Sequence, residues 1–426
     1  MLTEFTRSEL GPNTTLYYLN TDRYRTNTVR FYFKQELKPR YNAMTALATR
    51  LLKHGSSCYP SRLELTRQLE TLYGAQLATG VGKVGGHQLI NVCLEVPAER
   101  FLPGARDVFA QALHAALNVM TEPAALTGTM DEDILALEKE YLSQEIRSLV
   151  DDKARYSLFR CNQEMYEEAP HALTETGTME DLGRIQGSEL PAHYHRMLAA
   201  ADLNIFMVGR FSPGDMEAIE KLAALRNEGA VPEAVTPPPV RQEPKETLEE
   251  ADVSQARICR ALRAPSLAGT DYYSLVMYNG VLGGFPHSKL FVNVREKAHL
   301  AYDVWSFVSS VPPVQYIIAG VHSDTYRQAL EIMEEQRQDI LTGNISRAEM
   351  DATRKGVVNR MRGVDDTPER LIGQTISDLL AGRKASIDEQ IEAFERVEPQ
   401  DMVDIAKKLQ LDTTLVLLPR RCEQPS

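Results

Sequence analysis

Cysteine is scarce in this chain of 426 residues, and what there is cannot form a framework. The five residues, Cys58, Cys93, Cys161, Cys259 and Cys422, lie far apart, include no C-x-x-C and are odd in number. That excludes a disulfide scaffold and a zinc knuckle, and it is the usage of a reducing compartment. Long apolar runs are also missing, since no uncharged stretch approaches the roughly 18 residues of a membrane span. Met1 to Leu10 hold no apolar core of the kind a signal peptide needs, so a soluble, cytoplasmic protein is expected. Positive charge is short as well. With 47 Lys and Arg against 59 Asp and Glu, the net charge is −12. Nucleic acid and anionic membranes both demand a basic face, so neither is expected as a partner.

The chain is too long for one ordinary core, and two domains of about 200 residues are the prior. The boundary is read at 231–255, which holds Pro232, Pro237, Pro238, Pro239 and Pro244 before the acidic stretch Glu246 to Asp252. Consecutive prolines favour an extended spacer and the charges keep it solvated. The predicted domains are therefore 1–230 and 256–426.

The two halves repeat one order of elements, though barely one sequence. In the first, Val29 to Phe33 alternates as a strand, and a helix over Asn42 to Lys53 puts Met44, Leu47, Leu51 and Leu52 on one face. A helix from Arg62 to Tyr73, strands from Ala75 and over Gln88 to Val96, and a helix from Gly104 to Leu117 follow. In the second, Ile258 to Leu262 is a strand, and Tyr272 to Leu282 and Ser288 to Lys297 are helices. A strand pair, Tyr302 to Val308 and Gln315 to Val321, then precedes a helix from Thr325 to Leu341. Each half goes on with a helix (Asp131 to Val150, Arg347 to Arg362) and closes on a strand (Asn204 to Val208, Thr414 to Leu418). Short loops between strands imply mainly antiparallel sheets with helices on one face, an α+β fold.

One stretch is more specific than the rest. Gly283-Gly284-Phe285-Pro286-His287-Ser288-Lys289-Leu290-Phe291 runs into Val294-Arg295-Glu296-Lys297 and then Leu300-Ala301-Tyr302. Arg295 and Tyr302 alone would be a helix-end cation and a half-buried strand aromatic. In this setting they closely resemble the substrate-side motif of the insulinase, or pitrilysin, family of metallopeptidases, and the duplicated pattern extends the resemblance over nearly the whole chain. The resemblance implies two homologous domains forming a half-clamshell. It also implies that Arg295 and Tyr302 hydrogen-bond substrate main chain near the scissile carbonyl, where both can donate to a developing oxyanion. Gly283 and Gly284 then belong either to a substrate-contacting loop or to a left-handed helix cap.

Active members of that family carry H-x-x-E-H on the first helix, because residues i and i+4 share a face and can bind one zinc. No such motif occurs here; the equivalent positions are Ala46, Thr49 and Arg50. The resemblance puts a third ligand and a supporting acid on a later helix, and Glu138 and Glu145 keep that seven-residue spacing on one face. Two inward carboxylates need a cation, so Arg50 is expected to reach Glu145 or Glu138 in place of the metal. The alternative is that both acids lie on a solvated face. His193 and His195, at i and i+2, point apart and are read as surface or packing residues. A rebuilt site of His54, His87 and Glu145 is a further alternative, with nothing in the spacing to force convergence.

The expectation is therefore an inactive metallopeptidase homologue, with no catalytic residue, metal or cofactor of its own. The resemblance implies a non-catalytic subunit with a zinc-bearing sister chain or itself as partner, a peptide as substrate, and a role in elongation factor P modification. A peptide-binding or scaffold homodimer without proteolysis is the other reading.

Overall fold

The computed structural model describes residues 5–128, 130–226, 235–264, 267 and 269–420. Cys422, Pro232 and Met1 to Glu4, used above, lie outside the described residues. Eleven strands make two sheets among those residues. The first holds β1 (Thr6–Gly11), β2 (Thr14–Asn20), β3 (Thr26–Glu36), β4 (Gln76–Val84), β5 (His87–Pro97) and β6 (Asp202–Gly209), in the order β1-β2-β6-β3-β5-β4. The second holds β7 (Lys245–Ala251), β8 (Ala256–Arg263), β9 (Ala301–Ser310), β10 (Pro313–Val321) and β11 (Gln410–Pro419), ordered β7-β11-β8-β10-β9. Pairing is antiparallel except for β2 with β6 and β7 with β11. The parallel pair stands at the same place in both sheets, so the halves repeat in topology as well as in element order. The fold is α+β.

Each sheet is buried on both faces, by different parts of the chain. Val29, Phe31 and Phe33 of β3 alternate into a core with the first half's own helices, among them Tyr41–Leu51 and Val108–Thr121. The opposite face, with Tyr17, Tyr32 and Phe206, joins a core that contains Ile372 and Ile376 of the second half's Pro368–Leu380 helix. The second sheet repeats this. Ile258, Ile317 and Val416 face its own helices, while Cys259, Ile318 and Leu417 pack with Cys161 and Met165 on Lys153–Tyr166, a first-half helix. Each half thus lends one helix to the other's sheet.

The stretch read as a solvated spacer is partly structural. Residues 245–251 form β7, the edge of the second sheet, in parallel register with β11 from Thr413↔Lys245 to Pro419↔Ala251. Its charges bind the lent helix: Arg160 Nη2 lies 2.8 Å from Glu249 and Lys245 Nζ 2.7 Å from Glu164. Charge on an edge strand also discourages pairing with foreign strands, so a run that reads as a tether can serve as a sheet margin. The helix expected from Gly104 runs instead over Val108–Thr121. Among the described residues no helix is long and apolar enough to cross a membrane.

Candidate functional site

The Tyr41–Leu51 helix carries Ala46, Thr49 and Arg50 toward the Glu132–Asp151 helix, which opens on Asp131 as N-cap. Ala46 is buried and has no donor atom, and the buried Thr49 hydroxyl bonds back to the Thr45 carbonyl at 2.8 Å. Arg50 lies between the two acids: Nε donates to Glu138 at 2.9 Å and Nη1 to Glu145 at 2.9 Å. Its guanidinium also lies 5.9 Å from the Tyr141 ring. His54 completes the group, with Nε2 2.8 Å from the other Glu138 oxygen. Glu138 is 4 % exposed, whereas the Glu145 side chain is about half exposed.

Burial alone would raise the Glu138 carboxyl, but hydrogen bonds from His54 and Arg50 outweigh it and hold the group below the usual carboxylate range. An ionised carboxylate only accepts, so Nε2 of His54 carries the proton. His54 stands four residues beyond Arg50 and shares its face. That spacing was the signal for this contact, which the sequence reading did not draw.

This donor set does not fit zinc. A methyl, a hydroxyl committed to backbone and a cation occupy the three motif positions, and the acids are already bound to that cation. The alternative of His54, His87 and Glu145 does not assemble, since among the described residues no three or more His, Cys, Asp or Glu side chains are grouped to hold a metal.

His193 and His195 diverge as expected for i and i+2. His195 is exposed, while His193 is buried, 2.7 Å from the Thr45 hydroxyl and stacked on Tyr41. Burial, with Arg196 adding to it, pushes His193 down to about 4. His171 is also pushed down to about 4, by burial and then by Lys83, Arg263 and His87. Both enter the fold neutral. Between about 4 and the unfolded value near 6.5, the unfolded chain therefore binds protons that the folded chain does not. Stability is expected to fall as pH drops through that window, read as a declining urea midpoint from pH 7.5 to 4.5. His193→Gln should flatten the decline; equal slopes would refute the assignment.

The motif of the second half lies on a different kind of surface. Arg295 is in the helical turn Phe291–Lys297, its side chain 43 % exposed, 4.7 Å over the Phe291 ring and only loosely paired with Glu296 at 3.9 Å. Tyr302 is 68 % exposed on β9, the edge of the second sheet. Among the described residues, no hydrogen bond or ion pair links either to Arg50, Glu138 or Glu145. Gly283 and Gly284 are within the helical run Gly280–Gly284, and neither has the positive φ of a left-handed cap. Close approach requires them instead. A Cβ on Gly283 would sit 2.6 Å from Ser306 Oγ and 2.9 Å from Leu290 Cδ1, and one on Gly284 2.9 Å from Asn279 Nδ2.

Two like halves, each a mainly antiparallel sheet with helices, and an arginine bound to two acids of a neighbouring helix characterise the structure. In fold and in part of its sequence the chain is similar to the insulinase-type, or M16, peptidases. Residues 184–357 match the family model described as the peptidase M16 inactive domain. The chain is 29% identical over 413 residues, 95% of each chain, to the probable inactive metalloprotease YmfF of Bacillus subtilis (strain 168). To the uncharacterized zinc protease YmxG of the same strain it is 24% identical over 286 residues, 66% of this chain and 69% of that one. In fold it is similar to a conserved protein from Enterococcus faecalis V583, with a TM-score of 0.91 at 23% identity over 99% of this chain and 100% of that one.

Proposed function

We propose that this chain is the non-catalytic subunit of a heteromeric insulinase-family zinc peptidase, and that a zinc-bearing sister chain supplies metal and base. The observation that carries this reading is the pairing of opposites in one chain. Its own metal position is filled by Arg50, bound to both acids, while Arg295 and Tyr302 stand exposed without strong partners of their own. Groups kept free in this way suit a substrate backbone that arrives from outside. The edge strand β9, which carries Tyr302, also suits an extended peptide adding as a further strand, with main-chain hydrogen bonds giving sequence-tolerant affinity. A similarity to both an inactive homologue and a zinc protease of one organism supports a working pair. A role in elongation factor P modification belongs to this reading through the family resemblance, and co-purification with that factor is its test.

Adding the chain to a zinc-bearing homologue should raise hydrolysis of a fluorogenic peptide. Arg295→Ala should cut that gain by about a hundredfold, the low end of the scale for one lost oxyanion donor. A gain indifferent to Arg295 would sink the proposal. The second reading, a peptide-binding or scaffold homodimer, draws on the same exposed edge and predicts peptide binding without hydrolysis in any pairing.

A further inference from the structure

A large cavity lies where the halves meet, away from Arg50 and from Arg295. It has a volume of about 980 Å³, at the upper end of small-molecule sites. Its walls come from both halves: the turn between β4 and β5, His171, the start of the second half around Arg263, the turn between β9 and β10, and residues 380–385. The charge of the lining is one-sided. Lys34, Arg263, Arg383 and Lys384 line it with His87 and His171, and among the described residues no Asp or Glu does, in a chain of net charge −12.

Three buried nitrogens around this cavity lack hydrogen-bond partners among the described residues. Arg263 is 6 % exposed and gives Nη2 to the Pro238 carbonyl at 2.8 Å, but its Nη1 has no hydrogen bond. The nearest acid, Asp412, is 3.8 Å from that nitrogen, beyond hydrogen-bond length. His171, 2 % exposed, has an unpartnered Nδ1. Arg383 gives Nε at 2.9 Å and Nη2 at 2.8 Å to Asp378, which balances its charge, and leaves Nη1 without a hydrogen bond. Lys34 is neutralised by Asp202 at 3.0 Å, whereas Lys384 is exposed and has no ion pair among the described residues. Leaving a buried donor without an acceptor is unfavourable, and a bound acceptor removes that cost.

We infer that this cavity is a binding site for a small organic anion, a carboxylate or phosphate on an apolar body, held by Arg263, His171 and Arg383. The apolar body has its own wall in Val84, Val311 and Leu380. The low proton affinity of His171, caused by burial and then by Lys83, Arg263 and His87, reports the same positive field. Because His171 belongs to the first half and Arg263 and Arg383 to the second, the ligand would tie the halves together. The inference does not depend on the proposed peptidase partnership.

Calorimetric titration of the full chain at fixed ionic strength tests it, with phenyl phosphate, benzoate and inorganic phosphate as probes and benzylamine as the cationic control. Saturable 1:1 binding of phenyl phosphate or benzoate is expected, and the stronger of the two identifies the head group. Binding of inorganic phosphate as tightly as phenyl phosphate would remove the apolar body from the proposal and overturn it in that form. Arg263→Gln should weaken affinity about tenfold, equivalent to 1.4 kcal/mol. Should that variant misfold by circular dichroism, Arg383→Gln and Lys384→Gln carry the test with a loss of about threefold each. No saturation by either aromatic anion up to about 10 mM, binding of benzylamine, or unchanged affinity in those variants would each overturn the site.

Discussion

Arg50→Met is expected to lower the folding free energy by about 3 kcal/mol, because it removes the cation from a buried carboxylate and leaves the acid in place. Glu138 has one oxygen on Arg50 and the other on His54, and almost no access to water. Without Arg50, one oxygen loses its partner, and Glu145 stands nearby with like charge. Glu145 is half exposed and solvates easily, so the penalty concentrates on Glu138. Adding Glu138→Gln to Arg50→Met should recover much of the loss, since an amide needs no counter-charge. The sign with pH follows from the depressed Glu138 carboxyl. Its contribution is present above the unfolded value near 4.3 and disappears as pH falls through the lower folded value. The gap between wild type and Arg50→Met, read from urea midpoints, should be wide at pH 7 and narrow toward pH 3. A loss under about 1 kcal/mol at pH 7 would mean that the acids lie on a solvated face after all.

Phe206→Ala is expected to cost about 4 kcal/mol and to destabilise both halves at once. Phe206 is fully buried on β6, stacked on Tyr17 at 4.9 Å and edge-on to Phe5 at 5.6 Å and Tyr32 at 5.9 Å. It faces the core that the first sheet shares with second-half helices, so the cavity left behind opens the joint between the halves. The chain has one tryptophan, Trp305 on β9, which reports the second half alone. Its fluorescence transition should shift together with the far-ultraviolet signal when Phe206, in the first half, is truncated. A shift in the second signal with Trp305 unmoved would show the halves to be energetically independent.

The failures of sequence reading share a cause with this prediction. Tyr17, Tyr32 and Phe206 sit on strands whose other face is also apolar, so alternation shows a strand but not which helix covers it. The lent helix Lys153–Tyr166 looks from its sequence like any amphipathic first-half helix, yet it packs on β8 and β11. In β7 the acidic residues obscured a strand, since in its pairing with β11 Lys245 stands opposite Thr413, 168 residues on, and its ion-pair partners lie on that lent helix. Gly283 and Gly284 read as a cap or loop because glycine serves both. Only the approach of Ser306 and Asn279 shows that missing volume, not backbone freedom, is what the position needs.

Spacing along one helix and along the chain sufficed for the rest. The absence of H-x-x-E-H, the i, i+7 placement of Glu138 and Glu145, the duplicated α+β pattern and the position of Arg295 before Tyr302 are local or periodic features, and local geometry makes them legible. The sequence by itself determined that the chain carries no H-x-x-E-H and that a cation, Arg50, ends the helix after Tyr41. Tertiary structure decided that this cation meets both acids and His54, that each half completes the other's core, and that unpaired donors from the two halves surround one cavity. Those contacts join residues dozens to hundreds of positions apart, where no periodicity reaches and only the packed chain sets the distance.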